Sequence, residues 1–268
     1  MKRIKLKRRQ PNRSRGGDIG VYLVLVLFAA FMVIPLIFTV CQAFKPLDEI
    51  HKFPPTILVR NPTLDNFGDL FAIMGQSYVP FTRYIFNTVF TSIAGTVGHL
   101  FIASLAAYAM AKIKFPGGKG MFRMVRTSLM FHQTVTAICS FILMSAFHMV
   151  DTYFAIIIPA WGSTLGLYLM KQFMESNVND SVLESARLDG AGELRTFWTI
   201  AMPMVKPGWL TLIVYSFKDL WNQGSSIYIH SEQLKSLNYA IGQITAGGIR
   251  RAGASAAATA VMMLVPIL

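Results

Sequence analysis

Acidic residues are scarce in this chain: 13 Asp and Glu stand against 25 Lys and Arg, and charged side chains of both signs make up only 14% of the 268 residues. A water-soluble domain carries charge on roughly a quarter of its positions, so a soluble globular class is excluded. Cysteine is rarer still. Cys41 and Cys139 both lie in apolar runs and form no CxxC pair, which removes a disulfide framework and a zinc site from consideration. Catalytic signatures are missing as well. There is no HExxH, no GxSxG and no pair of acidic residues in facing apolar runs, which counts against an intramembrane enzyme.

Apolar residues fill the space left by charge, at 53% of the chain and a mean hydropathy of +0.47. A helix crossing the roughly 30 Å hydrocarbon core needs about 20 mostly apolar residues. Six runs approach or exceed that length: 19–44, 84–111, 127–150, 152–170, 207–229 and 252–268. The expected fold is an all-α integral membrane protein with six transmembrane helices, the sixth cut short by the end of the sequence. The excess of positive charge would suggest nucleic acid in a soluble protein, but here Lys and Arg gather at the ends of apolar runs, as orientation signals do. With the N-terminus in the cytoplasm, the basic residues of 2–15, 112–126 and 171–206 all fall inside; Arg250 and Arg251 fall outside, against the rule. The apolar run after MKRIKLKRR is too long for a cleaved signal and lacks a small-residue cleavage site, so it is read as the first span.

This gives a basic cytoplasmic N-terminus at 1–18 and a six-span domain at 19–268. Within the domain lie an outer loop at 45–80 and a cytoplasmic hairpin at 176–206. The outer loop holds Pro46, Pro54, Pro55, Pro62 and Pro80, too many for a continuous helix. Near the C-terminus, Gly253 with Ala257 and Ala254 with Ala258 stand four apart, a pattern that lets helices approach closely.

Between the fourth and fifth runs stands ESARLDGAGELRTFWTIAMPMVKP, residues 184–207, charged and amphipathic in an otherwise apolar chain. Ser181 with Glu184 three residues on has the form of a capping box, predicting a short helix over 182–188 that breaks at Asp189-Gly190. A second helix would carry Leu194, Phe197, Trp198 and Ala201 on one apolar face and end at Pro203 and Pro207. Helices this short are marginal alone. Either the hairpin lies on its own bundle or the membrane surface, or its exposed first helix docks into another cytoplasmic protein.

Ionisable groups inside apolar runs are costly and raise functional hypotheses. Lys218 and Asp219 stand in the fifth run; as i, i+1 neighbours they point about 100° apart and cannot simply neutralise each other. His99, His132 and His148 have no metal-ligand spacing and are read as polar packing.

The hairpin resembles the EAA loop of permease subunits of bacterial ATP-binding-cassette importers: Glu184-Ser185-Ala186, then Gly190, Ile200 and Met202-Pro203, with every interval kept. Ser185 and Met202 replace the usual alanine and leucine. The resemblance covers most of the chain and narrows to the carbohydrate-importing branch, in particular the maltose-permease G-subunit type. Its further signatures are NPTLDNF at 61–67, SLAAYAMAKIKFPGGK at 104–119, and Trp221-Asn222, although Gln223-Gly224 replaces the usual acidic-aromatic pair.

The resemblance implies a type I importer permease in the bacterial cytoplasmic membrane, with Glu184, Ser185, Ala186, Arg187, Asp189, Gly190 and Ala191 forming a coupling helix seated in an ATPase groove. It implies a second permease subunit, two ATP-binding-cassette ATPase subunits and an external solute-binding protein as partners, in a lipid bilayer and without nucleic acid. No cofactor is implied for this chain: it has no GxxxxGKS or GxxxxGKT phosphate loop, and ATP and Mg would be bound by the ATPase partners. Lys218, Trp221, Asn222 and Gln223 are candidates for the substrate path, with Lys218 attracting an anionic sugar and Trp221 offering a stacking face. The bland reading of Lys218 is that it snorkels to headgroups or pairs with an acidic residue of the second permease. A stand-alone secondary transporter or channel would show inverted repeats and acidic relay residues. Neither is evident, and Asp219 alone keeps that reading open.

Overall fold

The computed structural model describes residues 15–75, 79–131, 133–224, 226–248 and 251–267, and among them every regular element is a helix. The chain runs α1 (Arg15–Phe44), α2 (Leu47–Ile50), α3 (Asp65–Gly75), α4 (Phe81–Lys112), α5 (Gly118–Ser128), α6 (Gln133–Ala146), α7 (Phe154–Trp161) and α8 (Thr164–Asn177). Then follow α9 (Asp180–Leu188), α10 (Glu193–Thr196), a π-helical turn (Phe197–Ala201), α11 (Met202–Met204), α12 (Lys206–Trp221), α13 (Leu237–Ala246) and α14 (Ala252–Ile267). Among the described residues, three helical stretches are long and apolar enough to cross a membrane: Gly17–Phe44, Phe81–Lys112 and Phe154–Asn177. A fourth is formed if Glu193–Met204 and Lys206–Trp221, bent by 83°, count as one span.

The remaining expected spans are apolar helices of less than crossing length, Thr136–Ala146 and Ala252–Pro266. In place of a continuous third span the chain turns at 129–131 between α5 and α6. His148 therefore lies beyond α6, in a turn with φ +53°, and not within a span. His132 and Arg250 lie outside the described residues.

Contacts divide the chain into two compact units, Met1–Phe71 with Gly248–Met263, and Ala72–Gly247 with Leu264–Leu268. In the first unit, α1 exposes almost its whole apolar surface, Leu27, Phe28 and Phe31 included, as a lipid-facing helix does. The proline-rich loop after it is irregular but tied. The Glu49 carboxylate accepts from the Arg60 and Asn61 amides at 3.0 and 3.5 Å and from the Thr56 hydroxyl at 3.3 Å, while the buried Lys45 ammonium donates to the Thr56 carbonyl. Asn66 closes the loop base, its amide reaching the carbonyls of Ala43 and Lys45 at 2.9 and 2.6 Å, and Phe67 packs on Phe44. The NPTLDNF signature is thus the stretch that ties the loop to the end of α1. In α14, Gly253, Ala254, Ala257 and Ala258 are all buried, the face expected from their spacing.

The second unit is built around α4, which packs on α7, α8, α12 and α13. Small residues permit close approach: a Cβ at Gly98 would lie 2.0 Å from the Trp161 indole nitrogen, and one at Gly166 would lie 2.0 Å from the His99 ring. Trp161 donates to the Ala94 carbonyl at 3.1 Å, so the indole is satisfied where it is wedged. His99 is buried, its Nδ1 3.4 Å from the Trp161 carbonyl, in keeping with polar packing. Toward the chain-start end of α4, Asn87 gathers three partners: its amide donates to the Gln233 and Lys235 carbonyls at 2.8 and 2.9 Å, and its oxygen accepts from Tyr153 at 2.7 Å. Asp151, at φ +61°, accepts from the His230 and Ser231 amides and the Ser231 hydroxyl. These Ser231 and His230 donors hold its carboxyl below the ordinary range.

One pH-dependent consequence lies in the proline-rich loop after α1. Burial pushes the Glu49 carboxyl up, but the Arg60 and Asn61 amides, with Thr56 and Lys45, outweigh it and leave the pKa below its ordinary value. A depressed carboxyl stabilises the loop fully at neutral pH, and the contribution is lost only as pH falls through the lowered value. After correction for intrinsic rates, hydrogen exchange of the Arg60 and Asn61 amides should be unchanged from neutral pH down to the ordinary glutamate range and rise below it. Glu49→Gln should already exchange faster at neutral pH; equal rates in both proteins would remove Glu49 as the tie.

Candidate functional site

The hairpin begins where α8 ends at Val178, a buried residue that turns the chain. Helix α9 starts at Asp180, two residues earlier than expected, and the capping box is not made. Its N-cap is Asn179, with no side-chain cap bond. Asp180 is instead drawn to α4, where Lys112 meets it at 2.7 Å, and an acidic side chain in the first turn also suits the helix dipole. Lys112 is the first cause that holds the Asp180 carboxyl below its usual range.

Leu183 and Ala186, three apart, are the buried residues of α9. Leu183 joins a core with Tyr108, Met170, Met174, Phe197, Val205 and Leu212. Everything else the sequence marked on this helix faces outward: Glu184, Ser185, Arg187 and Asp189 are exposed, and Leu188 is 89% exposed. The helix ends on a Schellman motif. The Ala191 amide reaches back to the Ala186 carbonyl at 2.9 Å and the Gly190 amide to the Arg187 carbonyl at 3.0 Å, with Gly190 at φ +80°.

Glu193, which the sequence reading passed over, holds the second limb to the first. Its carboxylate accepts from Arg187 at 2.7 Å and from the buried Tyr108 hydroxyl of α4 at 3.0 Å. The Arg187 contact is the main reason its carboxyl lies below the ordinary range. Tyr108 is the tyrosine of the SLAAYA stretch, so two separately noted motifs meet in one hydrogen bond. Being half exposed, the Arg187–Glu193 pair contributes about 0–1 kcal/mol. The buried contacts of Leu183 and Phe197 dominate, since each large apolar side chain contributes about 1.5–3 kcal/mol when fully buried.

The second limb departs from the expected apolar face. Phe197 and Ala201 are buried, but Leu194 and Trp198 are 69% and 48% exposed, and Met202 and Val205 take their place inside. Glu193 faces α4, which turns the next residue, Leu194, away. Pro203 cannot donate to the carbonyl four residues back, and the turn before it is π-helical, which shifts the buried positions by one. Exposed Leu188 and Leu194 leave apolar surface near the hairpin tip.

Beside α9 lies a cleft of about 740 Å³ lined by Lys112, Lys114, Lys119, Asp180, Glu184 and Arg187 among others. The candidate path residues sit at the far end of α12 and are not brought together. Lys218 and Asp219 are exposed and form no ion pair among the described residues. Trp221 is a correction to the expected stacking face: it is 3% exposed, with its ring stacked on Phe217 at 5.5 Å, so it is a packing residue. Asn222 caps the helix through the Lys218 carbonyl at 2.8 Å, and its own carbonyl accepts from Asn238 at 2.6 Å. Gln223 lines a small, partly open cavity with Thr91, Ser226, Lys235, Ser236 and Tyr239.

A profile of the family described as "Binding-protein-dependent transport system inner membrane component" matches residues 55–268. The chain is 29% identical over 210 residues to the sn-glycerol-3-phosphate transport system permease protein UgpE of Yersinia enterocolitica, covering 78% of this chain and 74% of that one. It is 28% identical over 224 residues to the inner membrane ABC transporter permease protein YcjP of Escherichia coli K12, covering 82% and 79%. Among solved structures, a chain of a bacterial ABC transporter involved in the import of the acidic polysaccharide alginate superposes with a TM-score of 0.78 at 20% identity, over 96% of each chain. That likeness is one of fold.

The turn at Gly190 gives a direct test of the hairpin's geometry. No atom lies within 4 Å of a Cβ added there, so substitution meets only the cost of positive φ. Gly190→Val should lose about 1–2 kcal/mol and Gly190→Asn clearly less, because asparagine tolerates the left-handed region. Hydrogen exchange across 184–191 in the solubilised protein measures both. Equal protection in the two variants would mean that the turn is not left-handed.

Proposed function

Since the chain belongs to the family of binding-protein-dependent transport system inner membrane components, we propose that it is the permease subunit of an ATP-driven importer of sugars or oligosaccharides, of the maltose-permease G-subunit type. The observation that carries this reading is the hairpin: a short helix anchored to α4 by Asp180 and Glu193, ended on a left-handed glycine, and presenting Glu184, Ser185, Arg187 and Leu188 outward. A helix so held is a stiff lever. Closure of two ATPase partners, which would bind ATP and Mg, pushes on that face and on Ala191, and the push passes through the 83° bend into α12. A second permease and an external solute-binding protein complete the assembly. The basic residues flanking the spans support a cytoplasmic N-terminus, with the hairpin on the same side.

Gentle solubilisation should recover an ATPase and a second permease with this chain. Where the group that meets Glu184 on the ATPase is basic, Glu184→Lys should insert normally yet reduce ATPase recovery and abolish transport, by setting like charges together. A cysteine in place of Glu193 should react with impermeant reagents from the cytoplasmic side only. Full ATPase recovery in the variant, or labelling from outside, would overturn the reading.

For the cargo, we assign Lys218, Asn222 and Gln223 to the path, with Trp221 as its packed wall. Lys218 is an exposed cation with no ion-pair partner among the described residues of the chain, and the relative UgpE is named for an anionic cargo. Lys218→Met should impair uptake of a charged sugar while leaving assembly and basal ATP hydrolysis intact. Loss of complex recovery whatever the sugar would mean that Lys218 pairs with the second permease instead.

A further inference from the structure

Helix α5 carries charge of one sign and divides into three faces. Phe122 and Val125 are half buried; the Phe122 ring stacks on Tyr168 of α8 at 5.8 Å and takes the Lys171 ammonium over its face at 3.7 Å. This face is bound to the protein. A second face is apolar yet open: Met121 is 49% and Met124 74% exposed, and Met130 and Phe131 just beyond the helix are 85% and 59% exposed. The third face is basic. Lys119, Arg123 and Arg126 stand at i, i+4 and i+7, all exposed, and none forms an ion pair among the described residues. Acidic residues are absent from 115–131 altogether.

Water satisfies the basic face but not the open methionines, and an acidic protein groove satisfies the charges while leaving the methionines on the other flank uncovered. The environment that offers acyl chains and anions side by side is a bilayer surface with acidic headgroups. Position agrees. Helix α5 follows within six residues of the end of α4 at Lys112, where a spanning helix leaves the hydrocarbon core. The intervening turn adds Lys114, and Lys114 and Lys119 line the 740 Å³ cleft in which Lys112 and Arg187 are already paired with Asp180 and Glu193. We propose that α5 lies in the membrane boundary of the leaflet reached by the end of α4. There Lys119, Arg123 and Arg126 bind the headgroup phosphates of acidic phospholipids, and Met121 and Met124 rest among the upper acyl carbons.

The test uses the full-length protein with its copurifying subunits, delipidated in mild detergent and titrated with phosphatidylglycerol or phosphatidylcholine, with bound lipid counted by native mass spectrometry. The wild type should retain phosphatidylglycerol preferentially, and the preference should fall as salt rises. The combined Lys119→Gln, Arg123→Gln and Arg126→Gln variant should weaken phosphatidylglycerol retention roughly tenfold or more, as removing three surface charges requires, and leave phosphatidylcholine unchanged. A spin label on Met124→Cys in nanodiscs, with the charges intact, should be more accessible to oxygen than to a polar nickel reagent. Equal retention of the two lipids by the wild type overturns the proposal, as does a label open to the nickel reagent. Loss of the ATPase from the triple variant with phosphatidylglycerol retention intact would assign the face to a protein partner and likewise overturn it.

Discussion

Inside a bilayer there is no water to satisfy polar groups, so a chain with irregular segments must tie them to something that spans the membrane. Here that something is α4, whose 32 residues run about 48 Å, well beyond the hydrocarbon core. At one end Asn87 binds two carbonyls of the 232–236 segment and the Tyr153 hydroxyl. At the other, Tyr108 and Lys112 hold Glu193 and Asp180, one on each limb of the hairpin. Each such bond contributes only about 1 kcal/mol net, yet leaving Asn87 or Tyr108 without its partner would cost more than the bond is worth. Polar contacts therefore set positions, while Leu183, Phe197 and Val205 supply the larger share of the binding energy.

Much of this was legible in the sequence, and the reasons differ by residue. Apolar runs without Asp, Glu, Lys or Arg gave α1 and α4 nearly to their ends, because length and composition alone decide whether a helix tolerates lipid. Gly190 after Asp189 marked the turn, since few residues other than glycine accept φ of +80°. The capping box failed because Asp180, one residue before Ser181, found a buried lysine on another helix, a tertiary contact that no local pattern reveals. Leu194 points away because its neighbour Glu193 is held to Tyr108 of α4, and Trp198 does so because a 3.6-residue period does not hold through the π-helical turn before Pro203. Trp221 looked like a stacking platform from its residue type, but which side of α12 faces the core is decided by α4, 120 residues away in the chain.

The proline-rich loop after α1 gives the opposite lesson. As a string of residues, NPTLDNF shows a likeness to a branch of transporters and no physical role. In the structure the Asn61 amide helps hold the Glu49 carboxylate, Thr63 bonds the Phe44 carbonyl at 2.9 Å, and Asn66 and Phe67 pack the loop base. The stretch closes a proline-rich segment that cannot close itself with helical hydrogen bonds.

The indole of Trp161 set against Gly98 and the imidazole of His99 set against Gly166 also decide how this part of the molecule can move. They work as a key in a keyway. For α4 to slip along α8 by one helical step, about 5.4 Å, each ring would have to ride over a side chain where it now meets a bare backbone. Shear between these helices is blocked, and a displacement applied at the hairpin must carry α4, α7 and α8 together. Any opening and closing of a passage then happens at the borders of this block, and the glycines at 98 and 166 are the slots that seat the two rings, so that a side chain added at either would unseat its ring and jam the fold before it altered the gate.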